Sequence, residues 1–381
     1  MTPRTASTFT GLFAALTAIV ATGAPAPGET EKSGAPASAP VSVVAGKPRL
    51  VASQLGRDVS LRGLSVVDDR VVWVSGDKGT IAFSTDGARS FESRNPPEFA
   101  VRDFRDIEGF DERRAVALAV GAPARILLTT DGGTSWRAVY RNERPESFLD
   151  GFDFWDDRRG IAFGDPLDGR FLILSTEDGG ATWTELPIPD RPLAFPGEAA
   201  FAASGTSIRV FPGGRVAFGT GGTRARLWVS EDYGAHWQSR HAPLRQGIDS
   251  AGLFSLAGTH GADTAHAAHA ADTEWIAVGG DYRADRERRE VAYVTRDRGL
   301  SWSAIVPPPA GFRSAVEPLP AALGGGWVAT GTSGTDIAAN TAAGFEALSV
   351  EGFHAVRAAK RGHLVVLVGA GGRLARLLPA E

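Results

Sequence analysis

Beyond about residue 45 the chain alternates short apolar runs with short polar breaks, and the 3.6-residue period of an amphipathic helix is weak throughout. Runs such as RAVALAV (114–120) and ARILLTT (124–130), or RGIAFGD (159–165) and FLILST (171–176), read as strands, with Gly, Asp, Ser and Pro between them. The runs come in fours, each set spanning about 45–50 residues, the size of one propeller blade. A lone four-stranded sheet cannot bury both faces, so the pattern predicts an all-β protein in which such sheets pack against one another.

The turn before the last run of each set carries a signature, Ser/Thr-x-Asp-x-Gly-x-x-Trp. It reads TTDGGTSW (129–136), TEDGGATW (176–183), SEDYGAHW (230–237) and TRDRGLSW (295–302), with a variant STDGARSF at 84–91. The aspartates are Asp86, Asp131, Asp178, Asp232 and Asp297, so the steps are 45, 47, 54 and 65 residues. An eroded copy, NTAAGFEA (340–347), keeps Gly344 and restores a step of 45 at Ala342. The Asp carboxylate can accept nearby backbone N–H groups, and Gly tolerates the positive φ of the turn. Trp136, Trp183, Trp237 and Trp302 then offer faces to bury between sheets, each worth at most about 5 kcal/mol for ~200 Å2. These residues are therefore expected to be scaffold.

Six copies define six blades. The tail FHAVRAAKRGHLVVLVGAGGRLARLLP (353–379) repeats three strands without the turn, and KPRLVASQL (47–55) is a strand without a blade. Pairing the two would close a seven-bladed ring and hide both edges. Six or eight blades remain compatible with two incomplete units.

Composition narrows the function. The chain has 381 residues, 47 of them Gly and 23 Pro, with a net charge of −4, so nothing draws it to nucleic acid or anionic lipid. The absence of Cys excludes disulfides, thiolate metal sites, a Cys nucleophile and a lipoprotein anchor. Arg4 precedes an apolar stretch, Phe9 to Ala21, too short to span a bilayer, and small residues follow at Thr22, Gly23 and Ala24. Residues 1–24 are expected to be a signal peptide and 25–44 a Pro/Ala-rich linker, leaving 45–381 as a monomeric propeller in the periplasm or outside the cell. An uncleaved anchor is the alternative.

The Ser/Thr-x-Asp-x-Gly-x-x-Trp turns are Asp-boxes, or BNR repeats. Over roughly residues 45–378 the chain resembles the Ycf48/Hcf136-like branch of the WD40/YVTN/BNR-like propellers, in an exported bacterial subgroup. Its non-repeating stretches carry this: GFDFWDDRRGIAFGDPLDGRF (151–171), GEAAFAASGT (197–206), AFGTGG (217–222), SAGLFSL (250–256), GGDY (279–282) and GFRSA (311–315). The resemblance implies an assembly or scaffold role with a protein partner. Some members of the subgroup are labelled oxidoreductase, but no cofactor motif is visible and no cofactor is expected.

In a propeller the second-to-third-strand turns and the blade links share one face, and the Asp-boxes lie on the other. Non-repeating residues concentrate on the first face, here called the top. Asp165, Asp168, Arg170, Glu198, Arg224, Asp281, Tyr282 and Arg313 are expected at one channel mouth, with Ser204, Ser255 and Ser314 from inner strands. Such a mixture of charges suits a protein, polar or carbohydrate ligand. Mutual pairing within the rim, or a Ca2+ site, is also open. A sialidase mechanism fails for want of its Arg-bearing motif, since FRDI (104–107) and FRSA (312–315) do not match it. A glycoside hydrolase could still use Asp165 and Asp281 with Tyr282 nearby. No His falls in a predicted top loop, which leaves a Ser–His–Asp triad unsupported. His260, His266 and His269 lie in an Ala-rich insertion that reads as a solvated loop.

Overall fold

The computed structural model describes residues 46–258 and 274–380. The expected leader, the linker and the insertion bearing His260, His266 and His269 lie outside the described residues. Seven antiparallel sheets follow one another along the chain. Their innermost strands are Leu61–Val66, Asp103–Gly109, Leu149–Phe154, Ile208–Phe211, Ile248–Gly258, Ala315–Pro318 and Ala355–Ala358, which define blades 1 to 7 in that order.

The ring closes as the lone strand suggests. Arg49–Gln54 is the outermost strand of blade 7, antiparallel to Arg373–Leu378 with Arg49 opposite Leu378 and Gln54 opposite Arg373. The pairing covers the otherwise open edge of Arg373–Leu378 and completes a fourth strand for blade 7. Each boundary between neighbouring blades holds its own apolar cluster; the one between blades 1 and 2, for example, joins Trp73, Ile81 and Phe83 to Phe104, Ala117 and Leu127.

Within a repeat turn, Thr129 and Asp131 show how the signature works. The Asp131 carboxylate accepts Thr129 Oγ1 (2.8 Å), Ser135 N (2.9 Å) and Ser135 Oγ (2.6 Å), and Gly133 N donates to Thr129 Oγ1 (2.9 Å). The hydroxyl bonds of Ser135 hold the Asp131 carboxyl down to about 2, and those of Ser301 do the same for Asp297. Blade 1 departs from the signature at Ala88, which still adopts φ 60° and is buried.

The turn indoles are less buried than expected. Trp136 is 9% exposed and donates to the Arg94 carbonyl of the preceding blade link, and Trp302 reaches the His241 carbonyl of blade 4. Trp183, Trp237 and Trp302 remain half-buried at the outer edge of the ring, although each packs on a cluster shared by two blades. The most deeply buried indoles are Trp73, Trp275 and Trp327, which stand at the start of second strands nearer the axis.

One blade departs from four strands. In the long link after blade 3, Glu198–Ala199 pairs with Gly221–Gly222, which in turn pairs with the innermost strand of blade 5. That sheet becomes six-stranded, and the link is drawn inward over the channel.

Candidate functional site

The inward link continues through residues 200–207 as a plug in the central channel. Ser204 Oγ donates to the Ser314 carbonyl (2.7 Å), Thr206 Oγ1 meets Ser255 Oγ (2.6 Å), and Ser255 Oγ accepts Val316 N (3.0 Å). From blades 1, 2 and 7, Arg62, Arg105 and Arg357 donate to the carbonyls of Ala203 (3.3 Å), Ala202 (3.1 Å) and Gly205 (3.2 Å). Gly205 is required here, because a β-carbon would collide with the Asp106 carboxylate. Ser204 and Ser255, expected at the site, are instead buried pins of the plug.

Above the plug lies a cavity of about 440 Å3. Its wall is shaped by one device used four times: the innermost strands of blades 1, 2, 3 and 5 slip register at Leu61/Gly63, Phe104/Asp106, Leu149/Gly151 and Leu253/Ser255. A β-bulge re-aims its extra residue. The four extra residues are Arg62, Arg105, Asp150 and Phe254, and all four line the cavity.

Around the ring, consecutive blades 1, 2 and 3 therefore present two guanidiniums and a carboxyl. Burial and the neighbouring Arg105 bring Arg62 down to about 10. Arg105 pairs with Asp103 at 2.7 Å. Asp150 is fully buried, and neither of its carboxylate oxygens has a hydrogen-bond partner. Burial, reinforced by Asp165, pushes its carboxyl well above the usual range. Asp165 also rises through burial, opposed by the Ala200 amide it accepts at 2.9 Å. Across the mouth, Phe254 stacks on Phe201 of the plug at 3.9 Å and meets Phe312 edge-on at 4.7 Å, with Tyr282 beside them.

The opposite mouth is larger, about 610 Å3, and lined by Glu108, Asp153, Arg209, Glu317 and Lys360. There the charges serve one another: Lys360 bonds Glu108, and Arg209 stands 3.5 Å from Glu317 and 3.8 Å from Asp153. The top cavity instead sets Asp150, with both carboxylate oxygens unbonded, against an aromatic wall.

The predicted residues divide accordingly. Asp165, Tyr282 and Ser314 line the top cavity. Glu198 is buried and bonded to Arg226 and Thr220, and Arg313 is buried against Asp336, so both brace the rim from within. Asp168 pairs at the surface with Arg144 at 2.6 Å. Arg170 donates to the Arg191 carbonyl (2.6 Å), and Arg224 lies over the Phe195 ring. Asp281 accepts Arg283 N (2.9 Å) and caps the short turn Tyr282–Ala284. Hence the eleven do not form one constellation.

His354 corrects the expectation that no His reaches this face, because it enters the cavity wall where the link from blade 6 meets blade 7. Burial, then Arg62, brings it down to about 4, so it is neutral at pH 7. Its Nδ1 lies 3.1 Å from the Leu61 carbonyl and 3.5 Å from Ser60 Oγ, a poor arrangement for activating that hydroxyl. Among the described residues, no group of three or more His, Asp or Glu is placed to hold a metal ion.

The geometry defines a β-propeller whose channel is stoppered and whose top cavity is rimmed by non-repeating loops. Solved structures share this architecture. A structure of YCF48 bound to a D1 peptide is 14% identical with a TM-score of 0.60, covering 86% of this chain and 96% of that one. YCF48 from Cyanidioschyzon merolae is also 14% identical, at a TM-score of 0.58, covering 86% and 98%. An ancestral GH74 enzyme is 14% identical at 0.52, covering 74% of this chain and 36% of its own. These likenesses bear out a Ycf48-like propeller fold. No protein-family model matches the sequence, and no curated protein matches it.

Proposed function

We propose that this chain is a non-catalytic, exported propeller that holds a polypeptide partner on its top face in an assembly or scaffold role. The observation that carries the reading is the distribution of exposed apolar side chains. Of the exposed large apolar side chains, Val101 (90% exposed), Val350 (92%), Ile188, Leu193, Phe195, Ile248 and Tyr282 stand on top-face links and turns, whereas Tyr233 and Leu300 stand in repeat turns of the opposite face. Exposed apolar groups gathered on one face mark an interaction surface. A propeller of the same architecture carries a D1 peptide, which supports a polypeptide as the occupant. Residues 1–24 act as a cleaved leader and 25–44 as a tether.

Hydrolysis of a glycoside is the rival, favoured by the raised Asp165 carboxyl and the GH74 neighbour. Asp281, its intended partner, is engaged in capping a turn.

The test places a photo-crosslinking amino acid at Tyr282, Val101 or Leu300, the last in a repeat turn on the opposite face, in protein expressed with its leader. Protein recovered outside the cytoplasm is expected to begin near Pro25 and to form polypeptide adducts from Tyr282 and Val101 but not Leu300. Adducts from Leu300 alone, or glycoside turnover abolished by Asp165→Asn, would overturn the reading.

A further inference from the structure

We propose that the top cavity takes a small zwitterion, a free α-amino acid or dipeptide with an aromatic or large aliphatic side chain, seated inside the partner-binding rim. The inference rests on the same face as the proposed function but concerns a different occupant.

Three chemistries converge on the cavity from three sectors of the ring. Blades 1 and 2 supply Arg62 and Arg105; blade 3 supplies Asp150 with Asp165; and across the mouth from the arginines, blade 5 supplies Phe254 and Tyr282. An α-amino acid carries a carboxylate, an ammonium and a side chain on one carbon, which matches this arrangement group for group. The volume, about 440 Å3, lies at the small-ligand end of the usual range.

The charges that line the cavity are unbalanced in a way such a ligand would balance. Arg62 is largely buried, keeps its charge at neutral pH and donates to the Ala203 carbonyl; its strongest charged neighbour is another cation, Arg105, with Asp103 and Asp77 acting more weakly. A buried guanidinium calls for an anion. Asp150 is the converse case, a buried acid whose oxygens lack a well-formed hydrogen bond, with the carboxyl of Asp165 a stronger neighbour than the Arg105 guanidinium. An ammonium held between the two would let both ionise, as a cation does for any close pair of carboxylates. Neither a neutral sugar nor a simple anion answers both ends of the cavity. The aromatic wall, with Phe201 stacked on Phe254, then offers a flat apolar seat for the side chain.

Isothermal titration calorimetry on the mature chain would compare L-phenylalanine, L-leucine and L-phenylalanyl-L-leucine with N-acetyl-L-phenylalanine, L-phenylalanine amide and glucose. The free amino acids or the dipeptide are expected to bind, with each blocked analogue weakened at least about tenfold, the effect of losing one charge-assisted contact. Arg62→Gln should abolish the preference for the free carboxylate, and Asp165→Asn the preference for the free ammonium. Absence of binding by every zwitterion, or equal binding by the blocked analogues, would overturn the proposal. Loss of crosslinks at Val101 with intact zwitterion binding would instead sink only the proposed partner role, and the reverse result only this inference.

Discussion

Aspartate does two opposite jobs in this protein, and the difference is environment alone. Asp131, exposed, and Asp297, half-buried, sit in repeat turns, where hydroxyl and amide donors favour the charged form. Asp150 stands at a bulge without a well-formed hydrogen bond, and burial with the nearby Asp165 carboxyl outweighs Arg105 and the Asp165 amide to favour its neutral form. The folded-state pKa of Asp150 therefore lies above its unfolded value, and the fold binds an extra proton there. Its contribution to stability is intact below about pH 4 and erodes as pH rises towards the folded pKa. Asp150→Asn removes a buried group that is costly when ionised. It should raise the Tm by about 1–3 °C at pH 7, and the gain should vanish near pH 4. Thermal unfolding at the two pH values checks this; an equal gain at both would mean that the carboxyl is not strained.

At the scale of the strand, the decisive element is Arg49–Gln54. It is far in sequence from its partner Arg373–Leu378, yet it supplies the fourth strand of blade 7, and Leu50 packs on the cluster between blades 6 and 7. Without it, Arg373–Leu378 becomes an open edge carrying unpaired backbone groups and apolar side chains. A chain beginning after Gln54 is expected to lose about 5–10 °C in Tm and to aggregate in a concentration-dependent way. Differential scanning calorimetry with light scattering measures both. A truncated chain as stable and soluble as the parent would show that the ring does not depend on this clasp.

For the molecule as a whole, the two faces divide the work. The repeat turns build the lower face from local bonds, whereas links, bulges and plug build the upper. Asp131→Ala should lower the Tm by about 1–3 °C, the loss of a capping carboxylate in a large fold, and leave top-face crosslinking unchanged. Tyr282→Ala, at a site 43% exposed, should leave the Tm within about 1 °C and weaken crosslinking from Val101. Comparable effects of both substitutions on both readouts would erase the distinction between the scaffold face and the proposed binding face.

What the amino-acid sequence determined by itself was the wheel. Each repeat turn is tied by bonds spanning four residues or fewer, such as Thr129 to Asp131 and Asp131 to Ser135, so its signature stays visible at every copy, and counting copies and leftover strands leads to seven blades. That Asp165, Tyr282 and Ser314 would face the upper mouth of the channel was legible too. The cavity itself was decided by tertiary structure. Arg62, Arg105, Asp150 and Phe254 point into it because of register slips, whose faint trace in LRG, FRD, LDG and LFS (61–63, 104–106, 149–151, 253–255) becomes readable only once strands are aligned. Glu198 and Arg313 look like ligand-binding charges until Arg226 and Asp336 are seen to hold them. The plug is pinned by contacts such as Ser204 to Ser314, 110 residues apart. Local bonding writes itself into neighbouring letters; a site assembled from distant segments does not, because its partners are chosen by the closed ring.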